Sequence, residues 1–175
     1  MAFNGTKNYP DNKLREYLES IGVKFGANLN AFTSWDLTQY FMTDVPIARE
    51  SVIDSALLVL HDWSHFITLD PKEIDAERGV IQEELRTSET ASWRAQIKMI
   101  KALGKGTLYE DRNLIGYLDG LASFTYDDIR EFYHKWYRPD YQTVVVVGDI
   151  DVDKVEQKIK TIMADIPAPA ADAAK

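Results

Sequence analysis

Three histidines and one run of carboxylates are the side chains in this sequence best suited to chemistry. His61 and His65 stand four residues apart, which puts both on one helical face at the spacing of a divalent-metal pair. No Glu follows His61, and Trp63 lies between the two, so the pair reads as surface or partly buried helix histidines. His134, beside Tyr133, Trp136 and Tyr137, reads as a packing or hydrogen-bonding residue. Residues 73–89 hold Glu73, Asp75, Glu77, Glu83, Glu84 and Glu89, interleaved with Arg78 and Arg86. That pattern is mainly a solvated, salt-bridged helix. Glu77 is the exception: it sits between Ile74 and Ile81 at helical spacing, an odd place for a purely solvent-facing charge. The Gly-x-Ser-x-Gly elbow of serine hydrolases and the glycine-rich lysine loop of nucleotide binders are both absent. Gly104-Lys105-Gly106-Thr107 is too short to replace the latter.

The elements that must position these residues follow from periodicity and capping signals. A helix is expected at 11–21, with Leu14, Leu18 and Ile21 on one side and Gly22 as its stop. Residues 23–45 read as two strands separated by a polar turn at Ser34-Trp35-Asp36. Thr38, Tyr40 and Met42 share one face of the second strand, and Leu37, Gln39 and Phe41 the other. Pro46 opens a helical region running to about Phe66, with Ile53, Ala56, Leu57 and Leu60 on its packing face. Asp70-Pro71 starts another helix, with Asp70 as cap and Glu73 placed for a capping box, expected to run to about Leu103. Helical segments are expected at 113–121, at 125–136 behind a Thr125 cap, and at 151–164. Tyr141–Val147, with four consecutive valines, reads as a strand buried on both faces or central in its sheet.

The fold class is therefore α+β: an antiparallel or mixed sheet packed against long helices. Only three or four strands are visible beside much apolar helix surface, so the sheet is small or some of its strands are missing. Residues 1–166 form the domain, and 167–175 read as an Ala/Pro-rich flexible tail or linker start.

Composition narrows the function classes. Of 175 residues, 45% are hydrophobic, which is enough for a core and excludes global disorder. Cysteine is absent, so disulfides, thiolate zinc sites and cysteine nucleophiles are excluded. The 28 acidic against 20 basic residues give a net charge of -8, which repels nucleic acid and anionic lipid at long range. No run of Lys/Arg is dense enough to suggest a basic patch, and no apolar stretch is long enough to span a bilayer.

Five ordered segments carry a resemblance. They are Met1–Pro10 (MAFNGTKNYP); Gly26–Ser34 (GANLNAFTS) with Asp36, Thr38 and Tyr40; Glu77–Glu84 (ERGVIQEE); Arg112–Gly116 (RNLIG); and Trp136–Asp140 (WYRPD) leading into Val144–Asp149. Together they resemble the N-terminal catalytic domain of pitrilysin/insulinase-type zinc metallopeptidases, the family that includes the mitochondrial processing peptidase. Leu114 departs from the proline the family often has there. The resemblance implies an inverted His-x-x-Glu-His motif standing directly ahead of Met1. With that register, the family's distal glutamate ligand falls on Glu77. Glu84 resembles a second carboxylate of the same helix that supports the site. Asn30, Ala31, Phe32 and Thr33 resemble the edge strand beside the cleft, where an extended peptide substrate binds by backbone hydrogen bonds.

The same resemblance implies Zn²⁺ held by two His and one Glu, with the motif's glutamate as general base. It implies a peptide or unfolded polypeptide as substrate, and a homologous domain or subunit that closes the cleft. Neither motif histidine nor the base lies within the 175 residues. The chain is thus expected to be a fragment, truncated at its N-terminus, that is inactive and does not retain zinc alone. The alternative is a non-catalytic module of the same fold that binds peptides or a partner subunit.

Overall fold

A computed structural model describes residues 1–169. Its elements are α1 (Lys13–Ser20), β1 (Leu29–Thr33), β2 (Thr38–Met42), α2 (Glu50–His65), α3 (Pro71–Ser88), α4 (Ala91–Leu103), α5 (Leu118–Ser123), α6 (Tyr126–Trp136) and α7 (Val152–Ile162). The α+β class holds, although β1 and β2 make the only sheet among the described residues, an antiparallel hairpin pairing Leu29 with Met42 through Thr33 with Thr38. Part of the expected tail, residues 170–175, lies outside the described residues.

Local chemistry explains most of the element ends. Asp70 caps α3 by accepting from the Lys72 N–H, and Pro71 takes the first turn, where its missing donor costs nothing. Thr125 and Asp128 form a reciprocal capping box on α6. Glu73 does not complete the matching box on α3, because its carboxylate accepts from Asn4 Nδ2 at 2.7 Å instead. The single helix expected from Pro71 to Leu103 is two helices. Thr90 turns extended and caps α4 by accepting from the Trp93 N–H, so a second N-terminus begins there. At the end of α1 the chain reverses through Gly22, whose φ of 95° suits glycine.

The core gathers around Trp63 on α2, which is 2% exposed. Leu14 and Leu18 of α1, Val23, Leu29 of β1, Val59, Ile74 of α3 and Tyr133 of α6 join it, with Ala2, Ile67 and Leu69. Phe3 meets the Trp63 ring edge-on at 5.7 Å and Tyr40 packs on it at 5.5 Å. Tyr40 and Met42 pack against the core, so theirs is the inward face of β2. Burial pushes the Tyr40 hydroxyl well above its usual pKa, and Tyr137, whose hydroxyl lies 2.7 Å away, adds to the shift.

The expected strand at Tyr141–Val147 is the main correction. Pro139–Tyr141 form a 3-10 turn, and residues 142–147 join no ladder among the described residues. Val145 is 73% and Val147 91% exposed. Four valines favour extended backbone, but a strand needs neighbours to pair its amides, and no described segment supplies them.

Helix α7 lies on α2, with Val155 buried beneath it. Glu50 at the start of α2 meets Lys154 and Lys158, each at 2.9 Å, and Asp54 also pairs with Lys158. The Lys158 and Lys154 ammoniums hold the Glu50 carboxyl down to about 2. A carboxyl depressed in the folded state contributes stability above the ordinary carboxylate range and loses it as pH falls through the depressed value. The contribution of this surface cluster is therefore expected to persist at pH 4 and to disappear near pH 2. A carboxyl NMR titration checks it: a Glu50 midpoint near 2 is expected, and one in the normal glutamate range would contradict the docking of α7.

Candidate functional site

The N-terminal segment brings the chain to Glu77. Residues 4–8 run alongside 66–68, bridging Thr6 to Ile67 with Lys7 N–H donating to Phe66 O and Thr68 N–H to Gly5 O. The approach is close at Gly5, whose φ is 145° and where a Cβ would stand 2.7 Å from Thr68 Oγ1. Only glycine fits both the dihedral and the space.

A buried carboxylate clamps the segment. Asp62 is fully buried on α2. It accepts from Thr6 Oγ1 at 2.6 Å, from the Asn8 N–H at 2.8 Å and from Asn8 Nδ2 at 2.7 Å. Trp63 Nε1 donates to Ala2 O at 3.0 Å, fixing the chain one turn earlier. Met1 then lies against α3, its nitrogen 2.7 Å from Glu77 Oε1. Asn4 reaches Glu73 one helical turn away on the same helix.

Glu77 is about a third exposed, and among the described residues its one partner is Met1. Arg78 points elsewhere, donating to the Leu121 and Phe124 carbonyls and lying 3.8 Å over the Phe124 ring, which ties α3 to α5. Glu84 is exposed, two turns beyond Glu77, and its carboxylate has no partner among the described residues. Asn30, Ala31, Phe32 and Thr33 all lie on β1, paired to β2 along one edge, with no strand on the other among the described residues. Asn30 Oδ1 accepts from the Ala31 N–H at 2.8 Å. Phe32 is 48% exposed.

The histidines form no metal site. His61 is buried and stacks on Phe66 at 4.6 Å, with Nδ1 3.1 Å from Asp62 Oδ1 and Nε2 2.6 Å from Asp165 Oδ1. His65 Nδ1 is 2.9 Å from Tyr137 O, and its ring lies 5.2 Å from that of His134. Burial first and His65 second lower the His134 pKa. Among the described residues no three His, Asp or Glu side chains converge to hold a metal ion. Glu77 stands apart from the three histidines as a single carboxylate donor on α3.

Sequence reasoning missed two features. The first is Asp62, whose only sequence signal is a carboxylate inside the apolar pattern of α2. The second is a row of basic residues on α4. Residues 90–109 contain Arg94, Lys98, Lys101 and Lys105 and no acidic residue, and only a helix brings the first three into one row.

An α+β domain that holds an open hairpin edge and an α3 carboxylate beside its first residue has close relatives. Residues 1–116 match the model for insulinase (peptidase family M16), and residues 123–175 match that for the peptidase M16 inactive domain. The chain belongs to the M16 peptidase family. It is 39% identical over 168 residues to a probable zinc protease, PqqL, of Escherichia coli, covering 96% of this chain and 18% of that protein. A probable zinc protease PqqL of Haemophilus influenzae is 38% identical over 160 residues, covering 91% of this chain and 17% of the relative. The crystal structure of the first half of the periplasmic protease PqqL from Escherichia coli superposes with a TM-score of 0.89 at 38% identity, covering 99% of this chain and 37% of that one. The chain thus spans less than a fifth of the length of these curated relatives.

Proposed function

We propose that this chain is part of a zinc-dependent metalloendopeptidase that hydrolyses peptide bonds in extended polypeptides with metal-activated water. Glu77 is the zinc ligand it contributes, and Glu84, on the same helix, supports the site. One observation carries the reading: Met1 nitrogen stands 2.7 Å from the Glu77 carboxylate. In a longer polypeptide, a residue joined to Met1 stands beside Glu77, where the inverted motif's second histidine belongs. The zinc protease names of the relatives support the metal.

Within these residues the division of labour is simple. Asp62 and Trp63 hold the N-terminal segment on α2, and Asn4 and Met1 hold it on α3. The free edge of β1, at Asn30–Thr33, takes an extended peptide through its backbone N–H and C=O groups, which gives affinity with little sequence demand. A homologous domain or subunit closes over that edge; the much greater length of the relatives supports one. No helix among the described residues is long and apolar enough to cross a membrane.

A second reading, a non-catalytic module that binds peptides or a partner subunit, draws on the inactive-domain match of residues 123–175. Proteolysis of an unstructured protein such as casein separates the two. The 175 residues alone are expected to be inactive. A polypeptide that also carries a His-x-x-Glu-His segment ahead of Met1 is expected to cleave casein, to stop on chelation and to recover with zinc. No cleavage with zinc present would favour the second reading, and chelator-resistant cleavage would contradict both.

A further inference from the structure

Helix α4 has no buried residue, although it follows directly on the helix that carries Glu77. Its surface is divided. Arg94, Lys98 and Lys101 recur at intervals of four and three, so they form one row along the helix, and Lys105 follows in the turn after it. Trp93, Ile97 and Ile100 each stand one residue earlier and form a parallel, half-buried apolar row beside it. All four basic residues are exposed. Lys98 and Lys105 have no ion-pair partner among the described residues, and Lys101 approaches only Asp111, at 4.0 Å. Arg94 donates to the Glu89 carbonyl, which does not neutralise it. The rest of the chain is strongly acidic, since the whole carries -8 with this row included.

The row is also tied to the β hairpin. Beyond α4 the chain folds back so closely that a Cβ on Gly104 would stand 3.1 Å from Glu110 N. Residues 109–112 then meet the hairpin turn. Trp35 Nε1 donates to Arg112 O at 3.1 Å, Arg112 Nη1 to Trp35 O at 3.3 Å, and Tyr109 hydroxyl to Asp36 Oδ2 at 2.8 Å. The Trp35 and Tyr109 rings pack edge-on at 5.7 Å. The turn at the end of β1, the 109–112 segment and α4 are therefore linked by direct contacts.

We infer that the basic and apolar rows of α4 bind acidic polypeptide segments with interspersed apolar side chains, and so select acidic substrates. The inference rests on reading β1 as the strand along which substrate lies. Charge complementarity favours an acidic occupant. A peptide meets only the local row, whereas an anionic bilayer presents a plane to the whole acidic molecule and is repelled by it. The peptide's carboxylates face the Lys/Arg row and its apolar side chains meet Trp93, Ile97 and Ile100.

Fluorescence anisotropy tests this on the full 175-residue chain, using short labelled peptides of alternating Glu and Leu, of Gln and Leu, and of Lys and Leu. The Glu peptide is expected to bind tightest and to weaken as salt rises. Lys98→Glu with Lys101→Glu is expected to weaken it about tenfold, since two exposed charges are reversed. Lys98→Gln with Lys101→Gln should give a smaller loss in the same direction. Both pairs are exposed, and circular dichroism verifies that each variant keeps its fold. Equal affinity for the Glu and Gln peptides, or unchanged binding in both variants, overturns the inference. So does tighter binding to phosphatidylglycerol vesicles than to the Glu peptide, lost in the same variants. The Gln peptide, which keeps the leucines but not the charge, reports the β1 edge and the apolar row. If it fails to bind while the Glu peptide binds and weakens in both variants, the strand reading falls, and α4 binds acidic segments without selecting them for β1.

Discussion

Replacing Asp62 by alanine is expected to destabilise the chain by about 3 kcal/mol, because a buried carboxylate with several donors cannot be removed without stranding them. Thr6, itself buried, would keep a hydroxyl with no acceptor, and the Asn8 main-chain and side-chain N–H groups would lose theirs. Each is a bond to a charged group, at the upper end of the usual range. Asp62→Asn should cost less but still substantially, since an amide oxygen accepts while its NH₂ meets donors. Urea unfolding reads the effect as a lower midpoint at unchanged slope. A loss below about 1 kcal/mol would mean that water replaces the carboxylate and that the clamp is not structural. The consequence reaches the candidate site, because the clamped segment is what places Met1 against Glu77.

The second large effect is at Glu77 itself. In a polypeptide with the inverted motif, Glu77→Gln is expected to lower zinc affinity by more than about 100-fold, since losing a ligand exceeds the cost of losing a group behind one. Peptidase activity should fall with it. In the 175 residues alone the same substitution should leave stability almost unchanged. The carboxylate is partly exposed, and its one partner among the described residues is the Met1 ammonium.

Features with a local cause were legible in the sequence. The Asp70 cap, the Thr125–Asp128 box, the 29–42 hairpin and the packing face of α1 each follow from side chains a few residues apart. The inward face of β2 was not legible, because Tyr40 and Phe41 are equally good core residues until Trp63 is placed beneath one of them. The valines at 144–147 show the opposite failure: their pattern is that of a covered strand, but cover is a property of neighbours, and the described residues provide none. The break at Thr90 was missed because Ile81, Leu85 and the apolar row of α4 continue a helical rhythm across it. At the candidate site, Glu77 stood out for a carboxylate between two isoleucines, and the structure gives it a partner from the far end of the sequence. The α4 row is hard to read in the sequence because Arg94, Lys98 and Lys101 are sparse along the chain and adjacent only on the helix.

The central claim is that Glu77 is a metal ligand completed from outside these residues. Zinc per chain, determined by elemental analysis after dialysis against limiting zinc, tests it most directly. The comparison is between a polypeptide carrying His-x-x-Glu-His ahead of Met1 and its Glu77→Gln variant, with the 175-residue chain beside them. One zinc in the first and none in the other two is the expected result. Equal zinc in the first pair, or one tightly held zinc in the 175 residues alone, would contradict it.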